Sequence, residues 1–103
     1  MIEINALQQR LREFADQRDW ERYHSPKNLV MALSVEVAEL QEHFQWLTEQ
    51  QSLSLDDETR DAVALEMADV LIYLVRMADR CDIDLADAVT RKLVINAHKY
   101  PAE

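Results

Sequence analysis

The sequence predicts an all-α protein built as an antiparallel four-helix bundle. The chain has 103 residues and no glycine, and 49% of its residues are hydrophobic. Tight β-hairpin turns favour glycine, so a meandering β fold is disfavoured, while the apolar content is sufficient for a core. Apolar residues recur at spacings of three and four, which is typical of amphipathic helices. Four such segments with short connections indicate antiparallel neighbours in a single domain, residues 1–103.

The first two helices have clear sequence signals. A three-four spacing of apolar residues predicts a first helix that ends in the polar segment 16–18. Ser25 before Pro26 is a start signal, because serine caps a helix and proline is favoured at its first position. The apolar pattern then predicts a second helix that runs to about Leu47. The apolar residues of the first helix are Ile4, Leu7, Leu11 and Phe14.

Two further helices follow a polar connection. Asp56 or Asp57 is expected to cap a third helix that extends to about Cys81. Asp84 is expected to cap a fourth helix, which Pro101 closes.

The third helix is apolar around its whole circumference. So small a chain cannot cover such a helix on every side, which predicts a homo-oligomer built around the third and second helices. Its most apolar stretch, residues 62–78, is about a turn shorter than a usual membrane span. It also carries Glu66, Asp69 and Arg76, so it is interpreted as a buried helix of a water-soluble protein.

Charge and composition exclude several functions. Twenty acidic and eleven basic residues give a formal charge of -9, which repels nucleic acids and anionic lipids, so neither nucleic acid nor membrane is an expected partner. Without glycine the chain lacks a Walker loop, a Rossmann fingerprint and a nucleophile elbow. The lone Cys81 and the opening Met1-Ile2-Glu3-Ile4, which has no signal-like character, favour the cytoplasm.

Two acidic pairs carry the chemical signal. Glu36 with Glu39 and Glu66 with Asp69 are each three residues apart, about 60° around a helix, at the edge of an apolar face. Four facing carboxylates would repel and raise one another's pKa unless a cation neutralised them. Mg²⁺ or Mn²⁺ fits such oxygen ligands, with room for more than one ion. Hydrolysis of a phosphate ester or phosphoanhydride suits this arrangement.

Other interpretations of the acidic residues compete with the metal site. Either acidic pair alone is most often a solvated face, but two pairs within the most apolar helices reverse that preference. A di-iron bundle needs Glu-x-x-His on two helices, and the sole such spacing is Glu21 to His24. A non-enzymatic acidic module that binds or regulates a protein partner stays open as the alternative.

The acidic motifs resemble those of the MazG-like, all-α nucleoside triphosphate pyrophosphohydrolases. The two motifs are Glu36-Val37-Ala38-Glu39-Leu40 and Glu66-Met67-Ala68-Asp69-Val70. Segments 18–20, 24–29, 44–46, 69–74, 95–96 and 100–101 look like the dCTP pyrophosphatase branch. The resemblance implies that Glu36, Glu39, Glu66 and Asp69 bind Mg²⁺. It also implies a tetramer that cleaves a dNTP between its α and β phosphates, giving dNMP and pyrophosphate in a nucleotide-pool house-cleaning role.

Aromatic and polar residues of the matching segments are candidates for the base and sugar. An indole offers a flat face for stacking, and the resemblance favours Trp20 and Trp46 in this role over core anchors. His24 is a candidate donor to a base or a phosphate, or else a solvated histidine at a helix entry. Asn28 shares its motif and is expected to contact substrate. By resemblance Tyr73 lies next to the deoxyribose; otherwise it is core.

A polar face on the fourth helix is the candidate phosphate contact. Lys92, Asn96 and Lys99 recur at i, i+4 and i+7, with Tyr100 behind them, although such a face is usually just solvated. Leu11 stands where eukaryotic dCTP pyrophosphatases tend to carry histidine. The resemblance implies dCTP as substrate, and this departure leaves modified dCTP and dATP as rivals.

Overall fold

The computed structural model describes residues 2–102, and this part of the chain contains helices and no strand. The all-α class is thus confirmed, and the four longer helices are those that the sequence predicts. A short α3 and a 3₁₀ turn, Glu21–Tyr23, are additional. The helices are α1 Ile4–Gln17, α2 Pro26–Glu42, α3 Glu49–Ser52, α4 Asp57–Arg80 and α5 Leu85–Lys99.

Three predicted capping residues start their helices. Ser25 Oγ, Asp56 Oδ1 and Asp84 Oδ1 each accept a hydrogen bond from the amide three residues further on, at 3.1, 2.7 and 3.0 Å. Each bond satisfies an amide that has no partner within its helix. The starts of α2, α4 and α5 therefore follow from local side-chain chemistry.

The predicted end of α2 at about Leu47 is wrong, because the helix ends at Glu42. Thr48 Oγ1 accepts from the Gln51 amide at 3.1 Å, and Gln51 Oε1 accepts from the Thr48 amide at 2.9 Å. This reciprocal capping box starts α3 as a separate helix. Phe44 and Leu47 kept the three-four spacing, so periodicity alone could not reveal the break.

At the ends of α1 and α4, an aspartate occupies the left-handed position that glycine usually takes after a helix. Asp19 and Asp82 have φ angles of 55° and 57° just after α1 and α4. The next amides, of Trp20 and Ile83, donate to carbonyls five residues back at 2.9 and 2.8 Å. These are Schellman-type ends, which aspartate tolerates better than most residues other than glycine.

The helices leave much apolar surface open. α2 packs along α4, α1 packs against α4, and α5 contacts α1. Leu29 and Val75 are fully buried, whereas α5 has no buried residue. The closed four-helix bundle accordingly stays a prediction. No helix in residues 2–102 is both long and apolar enough to cross a membrane.

Candidate functional site

The packing of α2 on α4 brings three carboxylates together. Glu36 and Glu39 lie on α2 and Glu66 lies on α4, and one oxygen from each falls within 4.8 Å of the others. Glu36 and Glu66 are half-buried, and Glu39 is exposed. The spacing that put one acidic pair on each helix thus yields a shared cluster at the helix interface.

The cluster is electrostatically frustrated. When both carboxylates are ionised, Glu36 Oε2 and Glu66 Oε2 are buried and have no hydrogen-bond partner. The pKa of Glu66 is raised to about 8, chiefly because its protonated form hydrogen-bonds Glu36, with burial, Glu39 and charge repulsion adding to the shift. Without a cation the cluster therefore retains a proton near neutral pH.

These residues fit a hard divalent cation. The unpartnered oxygens of Glu36 and Glu66 are ligand atoms of the kind that Mg²⁺ and Mn²⁺ prefer, and a bound cation would supply the charge that a proton otherwise supplies. Asp69, the fourth predicted ligand, lies one turn beyond Glu66 and is outside the three-residue cluster. It lines the neighbouring cavity instead.

A cavity of about 310 Å³ lies between α1, the segment before α2, and α4. Phe14, Trp20, His24 and Tyr73 contribute aromatic rings to its lining. The rings of Phe14 and Trp20 pack edge to face with centroids 5.5 Å apart, and the His24 ring is 5.8 Å from Trp20. The cavity is thus suited to a flat organic ring.

One stripe of α4 links the cluster to the cavity. Glu66, Asp69, Tyr73 and Arg76 follow one another at helical spacings of three, four and three. Glu66 belongs to the carboxylate cluster, and the other three line the cavity. A ligand in the cavity consequently lies beside the carboxylates.

Arg76 is a site residue that sequence reasoning missed. Its side chain is 3% exposed and donates to His24 Nδ1 at 3.2 Å, Asp79 Oδ2 at 2.9 Å and Glu21 Oε1 at 3.4 Å. Arg80 donates to the His24 carbonyl at 2.9 Å. Burial, Arg76 and Arg80 lower the pKa of His24, and Glu21 opposes them. The one available signal was a charge embedded in the apolar stretch of α4.

The remaining predicted substrate residues lie elsewhere in the chain. Asn28 Nδ2, at the start of α2, donates to the Tyr23 carbonyl at 3.1 Å. Trp46 is 87% exposed in the turn after α2. The fourth-helix residues are not in the described cavity lining, which belongs to α1, α4 and the segment before α2. These α5 and C-terminal residues are Lys92, Asn96, Lys99 and Tyr100.

The fold and site define an all-α protein with a carboxylate centre beside an aromatic cavity. The sequence matches the MazG-like family over residues 31–103, and the chain belongs to that family. It is 50% identical over 92 residues to dCTP pyrophosphatase 1 of Homo sapiens, covering 87% of this chain and 54% of the relative. The Mus musculus protein of that name is 48% identical over 91 residues, with 86% and 54% covered.

The chain spans about half the length of these curated relatives. A solved pyrophosphatase from Archaeoglobus fulgidus is similar over 99% of this chain and 95% of its own, at 42% identity and a TM-score of 0.89. The resemblance to the MazG-like family and to its dCTP pyrophosphatase branch is thereby confirmed.

Proposed function

We propose that this chain is a Mg²⁺-dependent nucleoside triphosphate pyrophosphohydrolase that converts a dNTP to dNMP and pyrophosphate. The observation that carries the proposal is the cluster of Glu36, Glu39 and Glu66, whose unpartnered buried oxygens lie beside an aromatic cavity. The relatives named dCTP pyrophosphatase support dCTP or a modified dCTP as substrate, with dATP as the rival. A cytoplasmic, nucleotide-pool house-cleaning role belongs to this proposal.

The carboxylates have distinct tasks in this mechanism. Glu36, Glu39 and Glu66 would hold Mg²⁺ or Mn²⁺, and Asp69, one turn along α4 at the cavity wall, would complete the ligand set. When bound, the ion offsets the charge of the phosphates and favours ionisation of the attacking water. Glu39 is the exposed member of the cluster, so its carboxylate can accept the proton of that water.

The cavity side chains hold the rest of the nucleotide. Trp20 stacks on the base, and Tyr73 packs on the sugar. His24 contributes a hydrogen bond, and Asn28 supports the segment by its bond to the Tyr23 carbonyl. These side chains orient the α and β phosphates toward the carboxylates.

A second copy of the chain is part of the proposal. The chain exposes 8207 Å², whereas a compact monomer of 12.1 kDa exposes about 6,000 Å². Its radius of gyration is 16.5 Å against about 13 Å for a compact domain of this length. Large apolar side chains on α4 and α5 account for part of the excess, among them Leu65, Leu71, Val89, Leu93 and Val94.

We assign the uncovered surface to a homotetramer, with a dimer as the minimum. The described cavity lining lacks Trp46, Lys92, Asn96, Lys99 and Tyr100, and in the proposed assembly another copy presents them to the substrate. In that arrangement Trp46 adds a second stacking face, and the two lysines meet the phosphates.

Product analysis over the four common dNTPs and 5-methyl-dCTP tests the function. We expect pyrophosphate release that requires Mg²⁺ and is lost in Glu36→Gln. Glu42→Gln is the matched control, because it removes an exposed carboxylate of the same helix outside the cluster. Orthophosphate as product would refute the proposed reaction, whereas no turnover with any nucleotide would refute the proposal and favour the non-enzymatic acidic module.

A further inference from the structure

We propose that Arg76 is a positioning residue that holds His24 in one neutral tautomer, with the proton on Nε2. The ring then presents a fixed hydrogen-bond donor to an acceptor atom on the base of the substrate. The ligand part of this inference rests on the proposed function, whereas the tautomer follows from the protein alone.

The hydrogen-bond geometry determines which nitrogen carries the proton. Arg76 Nε lies 3.2 Å from His24 Nδ1 and can only donate. Nδ1 must therefore offer its lone pair, which leaves the proton of a neutral imidazole on Nε2. A protonated ring would instead direct an N–H at the guanidinium.

The guanidinium is itself held in place. Its Nη1 donates to Asp79 at 2.9 Å and its Nη2 to Glu21 at 3.4 Å, and the side chain is 3% exposed. Because the planar guanidinium is fixed on two sides, Nε is fixed in direction as well. Burial and the two nearby arginines also lower the pKa of His24, which favours its neutral form.

His24 has two candidate roles, donating to the base or donating to a phosphate, and a neutral ring favours the base. The ring lies 5.8 Å from that of Trp20, in a cavity with mostly apolar and aromatic walls. An uncharged N–H suits a carbonyl oxygen or ring nitrogen of a stacked base, whereas a phosphate would favour a cationic ring. We therefore assign His24 to the base.

The variant Arg76→Met removes the donor to His24 and retains much of the side-chain volume. Glu21 keeps Arg80 at 2.9 Å, and Asp79 keeps Arg12 at 3.0 Å, so both carboxylates retain cationic partners. Arg12→Gln is the matched control, because it breaks the same ion network without touching His24. Circular dichroism checks that both variants fold.

The first readout is the ¹⁵N spectrum of the imidazole nitrogens at pH 8, with no nucleotide or metal. The His24 signals are identified by their loss in His24→Gln. We expect a single Nε2–H tautomer in the unaltered chain and in Arg12→Gln, and a mixture of both tautomers in Arg76→Met. An Nδ1–H signal for His24 in the unaltered chain would overturn the inference even if Arg76→Met did not fold.

The second readout is steady-state pyrophosphate release. Losing one oriented hydrogen bond to the base predicts about a three- to tenfold rise in KM for Arg76→Met, with kcat changed less than about twofold. Arg12→Gln is expected to leave KM nearly unchanged. An equal rise in both variants would overturn the positioning role. Inactivity of the unaltered chain would refute the proposed function, while the spectrum would still decide the tautomer.

Discussion

Replacing Glu66 by glutamine is expected to remove a pH dependence of stability from the metal-free protein. The pKa of Glu66 is about 8 in the folded chain and 4.5 ordinarily. Because the folded value is raised, the stabilisation is complete below about pH 4.5 and is lost as pH rises through about 8. Within this window the folded chain holds about one proton more than the unfolded chain, so its stability falls with rising pH.

The same proton must leave when a cation binds. At pH 6.5 we expect Mg²⁺ binding to release about one proton per chain, and at pH 9.5 almost none, because Glu66 is then already ionised. Mg²⁺ binding is therefore expected to strengthen as pH rises across this window. Calorimetric titrations in two buffers that differ in ionisation enthalpy count the protons released.

Chemical denaturation from pH 5 to 9 in a chelator measures the stability effect. The quantity to compare is the free energy of unfolding of the unaltered chain minus that of Glu66→Gln. The contribution of His24 titration is the same in both and therefore cancels. The lowered pKa of His24 acts in the opposite direction, adding stability as pH rises through its ordinary value of 6.5. Glu42→Gln, outside the cluster, is expected to keep the full pH dependence. A flat difference curve, or Mg²⁺ binding at pH 6.5 without proton release, would refute the reasoning.

Two further predictions concern the backbone and the assembly. Asp82→Gly relieves about 1–2 kcal/mol of left-handed strain and costs about 0.5–1 kcal/mol of unfolded-state entropy, so denaturation is expected to show a net gain of up to about 1.5 kcal/mol. Asp61→Gly, inside α4, should instead lose about 0.3 kcal/mol, the difference in helix propensity, and a loss in both would contradict the strain argument. Light scattering should give a mass that is a multiple of 12.1 kDa, and Leu93→Glu on α5 should reduce it. A mass near 12 kDa for the unaltered chain would contradict the proposed assembly.

The fold was predictable where side chains form hydrogen bonds with residues close to them in the sequence. Helix starts are set by Ser25, Asp56 and Asp84, whose side chains each accept a hydrogen bond from the amide three residues further on. The local sequence therefore contains the information needed to predict these starts. The end of α2 was not predictable from periodicity, because the capping box of Thr48 and Gln51 overrides an apolar pattern that continues unchanged.

The candidate site was likewise predictable only where sequence spacing along one helix determines it. Spacing along each helix placed Glu36 with Glu39 and indicated that Glu66 faces them, since α2 and α4 are the most apolar helices. The role of Arg76 was hidden, because its partner His24 is 52 residues away and reaches it through the irregular segment before α2. No local pattern encodes such a contact.

The charge balance of the cavity indicates what must hold a polyphosphate. Arg76 lines the cavity and is bonded to Glu21 and Asp79, which also bind Arg80 and Arg12, so this network of three arginines and two carboxylates has a net charge of about +1. With a formal charge of -9 on the chain, this network cannot offset the charge of a triphosphate. Under the proposed function, the negative charge of the triphosphate is offset by cations bound at the carboxylate cluster and by lysines outside the cavity. Metal binding and assembly are then both conditions for substrate binding, so removing either should raise KM.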